Sequence, residues 1–173
     1  MRRSAKKASW ISALVVMLSA LVLLVVPTTA AAKTKHRVEG TGLGLTASMS
    51  PDFPAVGSTV DSVQLNEIRI DGGKAVRGVS ESHVTVKSGD LSTGGAEGTG
   101  PIRSYDPRGS LKGTTTAKIA LQADGSVTVT GEIKVTGGTG TYKGATGTLP
   151  FNASVPNLMT PVANIQLSGT LSY

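Results

Sequence analysis

The sequence predicts an all-β protein, an eight-stranded antiparallel β-barrel. The composition disfavours helices, because 22 glycines are present and each costs about 1 kcal/mol relative to alanine inside a helix. Frequent Thr, Val and Ile suit pleated strands. Apolar residues also recur at every second position, which is the period of a half-buried strand and not of a helix. A two-sheet sandwich has the same alternation and is the alternative architecture.

The N-terminal segment, residues 1–32, has the pattern of a secretory signal peptide. Four basic residues precede an apolar run over residues 10–26, and small residues then allow cleavage after Ala30 or Ala32. The alternative is a retained membrane anchor, because spanning a bilayer takes about 20 apolar residues. We expect a secreted protein with no membrane segment after cleavage, and a single barrel domain over residues 33–173.

Removing that segment also removes most of the net positive charge, which is +6 for the full sequence. Four of the 17 basic residues lie in it, so the rest of the chain carries 13 basic and 11 acidic residues, a net charge of +2. No basic cluster with interleaved aromatic residues remains, so we expect no nucleic-acid partner. With no cysteine, the exported domain must be stabilised by its own core and not by disulfides.

The second half of the chain alternates most regularly. The first two of its segments are joined by a tight turn at Asp124 and Gly125. The four predicted strands cover residues 111–122, 127–136, 145–155 and 163–173. Charged residues fall on the face opposite the apolar residues and are predicted to face solvent: Lys112, Lys118, Glu132 and Lys134. The predicted interior of this half therefore holds no acid or base.

The first half is less regular but supplies four more predicted strands. They cover residues 37–49, 60–70, 75–87 and about 96–104. Eight antiparallel strands, each with one apolar face, can close into a barrel whose interior holds side chains or one small ligand. Closure also removes the exposed edges of an open sheet.

One segment contains an irregularity near Asn66, because its apolar residues change parity between Leu65 and Ile68. Such a phase slip is typical of a β-bulge, and bulges are common at barrel rims and beside active sites. Glu67 and Arg69 are therefore ligand-binding candidates, predicted to point inward or to lie at the rim. The alternative is a solvent-facing ion pair.

A second polar cluster surrounds Pro107. Its members are Arg103, Tyr105, Asp106 and Arg108, and a loop here could cover one barrel mouth. Of these, Arg103 and Tyr105 are ligand-binding candidates, because an arginine and a tyrosine could hold a carboxylate or a phenol by charge-assisted hydrogen bonds. The alternative is an ordinary surface turn, because Asp, Pro and Gly in this order are common in turns.

Metal binding and cofactor binding are not expected. Glu81 and His83 share one face of a strand, as half of a metal site would. Val84 and Val86 have the opposite parity and are predicted to point inward, which sends His83 outward. Two histidines without any cysteine are also a poor ligand set for a transition metal.

A glycine-rich hairpin over residues 137–147, GGTGTYKGATG, lies between two alternating strands and is predicted to be structural. Its members are Gly137, Gly138, Gly140, Tyr142, Gly144 and Gly147. Glycine allows the positive φ angles and close backbone contacts that such turns need. This hairpin resembles that of the allene oxide cyclase and dirigent-like β-barrel family, of which the chain resembles a secreted, bacterial-type member.

The resemblance implies an eight-stranded barrel, often a homotrimer, whose apolar cavity steers the cyclisation or coupling of a reactive small molecule. The residues favour a different function: a non-catalytic module that binds a small apolar ligand or acts at the cell surface, because the walls are aliphatic and the ionisable residues are predicted to be external. The alternative is a cyclase-like or dirigent-like protein with polar anchors, namely Glu67, Arg69, Arg103 or Tyr105.

Overall fold

Eight antiparallel strands pair in chain order, and the last pairs with the first, so the sheet closes into a barrel. This architecture comes from a computed structural model that describes residues 32–90, 95–156 and 162–173. The strands are β1 (Lys35–Met49), β2 (Thr59–Ile70), β3 (Val76–Asp90), β4 (Gly95–Asp106), β5 (Gly109–Leu121), β6 (Val127–Gly138), β7 (Thr146–Val155) and β8 (Val162–Ser172). Closure confirms the predicted barrel and excludes the two-sheet sandwich, because every strand is paired on both sides.

The predicted signal peptide lies outside the described residues, except for Ala32. Within the described part of the chain, no helix is long and apolar enough to cross a membrane.

Strands β5 to β8 follow the predicted alternation. Their odd-numbered residues point inward as far as Val135 on β6, where the register against β5 shifts by one residue. Among them Leu111, Val135 and Leu171 are buried. The even-numbered charged residues that were predicted to face solvent are exposed: Lys112, Lys118, Glu132 and Lys134. Period-two alternation is therefore sufficient to place the inner face of this half of the barrel.

Strand β2 corrects the prediction made for its irregularity. Its pairing with β1 and with β3 runs past Asn66 without interruption, so the predicted phase slip is wrong. Even-numbered residues point inward along the whole strand: Asn66 is 6% exposed, whereas Leu65 is 56% exposed on the outer face. The pattern misled because β2 carries polar residues inside, Ser62 and Gln64 included, and apolar residues outside.

A register shift on the neighbouring strand, one of three between the described strands, shapes one end of the barrel. The register of β1 against β2 shifts between Thr46 and Ser48, which places Met49 opposite the inward-pointing Val60. The β1–β2 loop then folds back, so that Phe53 packs near Val86. We call this end, where the β1–β2 and β5–β6 loops lie, the open end.

The opposite end, which we call the closed end, is filled by Tyr142. The glycine-rich hairpin between β6 and β7 forms a 3-10 helix, Gly140–Tyr142, and Gly140 has a φ of +59°. A Cβ atom at Gly140 would collide with the Arg108 carbonyl oxygen, so only glycine fits there. Tyr142 is 2% exposed. It belongs to the main core cluster, with Val38, Ile68, Leu111, Val135, Ala145, Leu149 and Leu171.

The Tyr142 side chain also forms a polar contact inside this end. Its hydroxyl donates to Asp106 Oδ2 at 2.6 Å, and the Arg108 guanidinium lies 5.4 Å from the ring centroid. Burial and the bond to Asp106 raise the pKa of the Tyr142 hydroxyl, which therefore stays protonated and donates. Burial alone would raise the pKa of Asp106, but the hydrogen bonds from Tyr142 and Arg108 outweigh it, so the pKa is lowered.

Candidate functional site

A cavity of about 550 Å³ occupies the barrel interior toward the open end. This volume is within the range of small-molecule pockets. Most of its wall is apolar, and all eight strands and the β1–β2 loop contribute to it. The larger apolar lining residues of β4 to β8 and the loop are Phe53, Ile102, Ile119, Val127, Val129, Ile133, Phe151, Val155, Ile165 and Leu167, and those of β1 to β3 are Leu45, Met49, Val60, Val84 and Val86. The exposed Met49 also lines the cavity, so the cavity reaches the surface beside this residue.

Strands β1 to β3 also contribute most of the polar side chains that line the cavity. Thr46, Ser62 and Ser82 lie opposite one another in one row across the three strands, and Gln64 lies one inward position deeper on β2. All four line the cavity, and we call them the polar strip. The Ser62 and Ser82 hydroxyl oxygens are 2.7 Å apart and share a hydrogen bond.

The polar character continues below the cavity. Asn66 Nδ2 donates to Ser80 Oγ at 2.5 Å, and both residues are buried. Among the described residues, no buried side-chain nitrogen or oxygen lacks a hydrogen-bond partner. Asn66 and Ser80 therefore form a buried, hydrogen-bonded polar pair next to the cavity.

Gly44 keeps the cavity open beside this strip. It pairs with Gln64 on β2 and with Ala163 on β8. A Cβ atom at Gly44 would lie 3.0 Å from Ile165 Cδ1, so a side chain there would enter the space between the polar strip and the apolar wall. The glycine leaves space next to Gln64.

The cavity has a neutral lining. Along the described part of the chain, no Asp, Glu, Lys, Arg or His lines it. An acid or a base is needed for proton transfer at a reacting atom. The described lining therefore provides shape, apolar contact and neutral hydrogen bonding.

Glu67 and Arg69 lie on the outer face of β2, which corrects their predicted inward or rim position. Their side chains are 39% and 53% exposed. Glu67 is 3.5 Å from Arg69 and 3.7 Å from Arg77, so these groups form the solvent-facing ion pair that was the alternative. They are outward because the register of β2 is regular and odd-numbered residues face solvent.

Arg103 and Tyr105 also lie outside the cavity. They belong to β4 itself and not to a loop, and both are exposed on its outer face. Asp106 has the opposite parity and points inward to Tyr142 and Arg108. The structure therefore separates this predicted cluster between the outer surface and the closed end. A role in ligand binding for Glu67, Arg69, Arg103 and Tyr105 stays a prediction.

Glu81 and His83 face outward, as expected. His83 Nδ1 is 2.5 Å from Asp61 Oδ1, and Asp61 Oδ2 accepts a hydrogen bond from Ser48 Oγ at 2.6 Å. The hydrogen bonds from Ser48 and then from His83 lower the pKa of Asp61. Among the residues described, no group of three or more metal-ligating side chains is placed to hold a metal ion.

The outer surface carries one row of exposed apolar side chains across four strands. Leu43, Leu65, Val79 and Tyr105 are direct cross-strand neighbours on β1 to β4. Their exposed fractions lie between 37% and 56%. The homotrimer implied by the family resemblance stays a prediction.

Fold and cavity together define a class: a closed eight-stranded antiparallel β-barrel with a cavity of about 550 Å³ at one end, uncharged along its described lining. No family model matches the sequence, and no curated protein matches it either. The structure is similar to that of a pterocarpan synthase dirigent protein, with a TM-score of 0.48 and 13% sequence identity. That similarity covers 82% of this chain and 97% of the other.

Proposed function

We propose that this protein is an exported, non-catalytic barrel that binds a small, largely apolar molecule at the open end. The observation that carries the proposal is the cavity of about 550 Å³, whose lining includes two phenylalanines and no charged side chain among the described residues. Burying an apolar ligand there gains about 25 cal/mol for each Å² removed from water. A role at the cell surface is compatible with this binding.

Export is the part of the proposal that depends on the leader-like segment. If residues 1–32 are a signal peptide, the protein in the culture medium of its host begins at residue 31 or 33. Intact-mass spectrometry of that protein measures the cleavage site, and native mass spectrometry of the same sample detects a retained ligand. Recovery of the uncleaved chain in the membrane fraction alone would contradict export.

Filling the cavity is expected to abolish ligand binding. Ala153 lines the apolar wall on β7, so Ala153→Leu occupies space that a ligand needs. We expect the affinity for the neutral probe N-phenyl-1-naphthylamine to fall at least tenfold in a fluorescence titration, the equivalent of about 1.4 kcal/mol. The melting temperature of the unliganded variant is expected to rise by a few degrees, because the added methyl groups are buried in existing space.

Ser154→Leu is the matched control, since Ser154 is the next residue on β7 and is exposed. It introduces the same side chain on the outer face and should leave probe affinity unchanged. Equal affinities for the wild-type protein and Ala153→Leu would show that the probe binds elsewhere. Absence of binding to the wild-type protein would contradict the proposed function itself.

Steering of a cyclisation or coupling is the second candidate, and it is favoured by one observation: the side chains of the described residues leave a cavity of about 550 Å³ unfilled. Confinement requires such a space but no charged group. The four polar anchors predicted for this function lie outside that space, so steering would depend on the shape of the apolar wall and on the polar strip.

A further inference from the structure

We infer that the cavity selects an uncharged ligand with one polar edge, which hydrogen-bonds to the polar strip while its apolar body lies against β4 to β8. This inference rests on the proposed function and adds the chemical class of the ligand. It is carried by the position of the strip: its four residues lie on three adjacent strands, and the facing wall is aliphatic and aromatic apart from Thr115 on β5.

The strip has hydrogen-bonding capacity left for a ligand. Ser62 and Ser82 are paired at 2.7 Å, and two hydroxyl groups that share one hydrogen bond still have a second O–H and several lone pairs. Gln64 adds an amide group with two donors and one acceptor. Such groups are costly to bury against a purely apolar molecule, so a ligand with a matching polar edge is favoured over one without it.

The backbone of the cavity wall has few free groups that could hydrogen-bond to a ligand. In a closed barrel, the regularly paired strands bond their N–H and C=O groups to both neighbours. Hydrogen bonds to a ligand deep in the cavity must therefore come from side chains. Among the described residues, most of the polar side chains that line the cavity belong to β1 to β3. The polar edge of the ligand therefore faces those strands.

The same lining disfavours an ionised ligand. A carboxylate or ammonium group inside the barrel would lose its hydration, and the lining described here provides no opposite charge. An unpaired buried charge is far more costly than an unpaired hydroxyl group. The ligand class is therefore a neutral alcohol, phenol, ketone or amide with an apolar body.

Three probes of nearly the same shape test this class: 2-methylnaphthalene, 2-naphthol and 2-naphthoate, titrated into the purified protein at neutral pH and followed by probe fluorescence. At this pH the naphthol is uncharged, because phenolic hydroxyls ionise near pH 10. Gln64→Met removes the amide with little change of volume. We expect it to weaken 2-naphthol binding about tenfold and to leave 2-methylnaphthalene binding within twofold.

Gln166→Met is the matched control, because Gln166 is exposed on the outer face of β8, and it should change neither affinity. Ser82→Ala is a second test variant in case Gln64→Met does not fold, and it should also weaken 2-naphthol selectively. We expect 2-naphthoate to bind at least tenfold more weakly than 2-naphthol to the wild-type protein.

Each outcome decides between the proposals. Selective loss of 2-naphthol affinity supports the polar edge. If both strip variants change the two neutral probes equally or not at all, the polar edge is contradicted while cavity binding stands. Binding of 2-naphthoate as tight as that of 2-naphthol contradicts the uncharged class. If no neutral probe binds the wild-type protein, the proposed function fails and this inference fails with it.

Discussion

Tyr142→Ala is expected to lower the free energy of unfolding by about 3–5 kcal/mol, the usual cost of truncating a buried aromatic residue. Tyr142 is 2% exposed and lies within the core cluster of the closed end. Truncation leaves a void among these side chains and removes the hydroxyl that donates to Asp106. Urea unfolding followed by far-UV circular dichroism measures the loss. Since small domains have only about 5–15 kcal/mol of stability, the variant should be close to unfolding.

Two further variants separate the contributions of the ring and the hydroxyl. Tyr142→Phe keeps the ring and leaves Asp106 with one donor fewer, so a smaller loss of about 1–3 kcal/mol is expected. Tyr105→Ala is the exposed control, since Tyr105 is 43% exposed on the outer face of β4, and its effect should stay within about 0.5 kcal/mol. A Tyr142→Ala variant as stable as Tyr105→Ala would show that the hairpin does not fill the closed end.

The same cluster gives the closed end a defined pH dependence. The pKa of Asp106 is lowered in the folded protein, so its ionised form stabilises the fold above the unfolded pKa, and this contribution is lost as pH falls through the lowered value. The stability difference between wild type and Asp106→Asn should therefore be largest near neutral pH and shrink below about pH 4. Urea titrations at several pH values measure it. A difference that grows on acidification would contradict this sign.

The alternation of β5 to β8 could be predicted from sequence because their inward positions are all apolar, small or glycine, apart from the buried Thr115. In these strands the inner face packs in the core or forms the apolar cavity wall, so apolar residues point inward and polar residues point outward. The glycine-rich hairpin was also recognisable, since its glycines are required by backbone geometry at particular points, as Gly140 shows. Both patterns involve residues that are close together in the chain, so they can be recognised in a single sequence.

The inner face of β2 could not be predicted in the same way. Its cavity-lining residues Ser62 and Gln64 are polar and point inward, while the apolar Leu65 points outward. On β2, a rule that places apolar residues inside puts Leu65 on the inner face and creates an apparent slip at Asn66. On β3 the same rule correctly places Val84 and Val86 inside. The usable signal on β2 was that the uncharged polar residues Ser62, Gln64 and Asn66 share the parity of Ile68 and Ile70, whereas the charged residues have the other parity.

The contact between Asp106 and Tyr142 could not be predicted from the sequence, for a different reason. The two residues are 36 positions apart. Nothing in the sequence around either one indicates that Tyr142 fills the closed end or that Asp106 accepts its hydrogen bond. Cavity volume depends likewise on the sum of all inward side chains against the barrel radius. The two ends therefore have distinct roles that only the assembled barrel reveals: the closed end stabilises the fold, and the open end keeps a space.

Leu171→Ala and Leu65→Ala test this inside and outside assignment with one chemical change at two sites. Leu171 is 1% exposed and Leu65 is 56% exposed, and both lie in strands. We expect Leu171→Ala to cost about 2–5 kcal/mol, since it removes buried methyl groups and leaves a void in the closed end. Leu65→Ala should change stability by no more than about 0.5 kcal/mol.

Urea unfolding measures the free energy of unfolding of both variants. Replacing leucine by alanine lowers the β-propensity equally at the two sites, so this effect largely cancels in the comparison. A costly Leu65→Ala would mean that Leu65 is buried and that the inner face of β2 does slip in phase near Asn66. The polar strip would then no longer face the cavity, because a shift of one residue moves every side chain of a strand to the opposite face. The stability of Leu65→Ala is therefore also a direct test of whether Gln64 is available to a ligand.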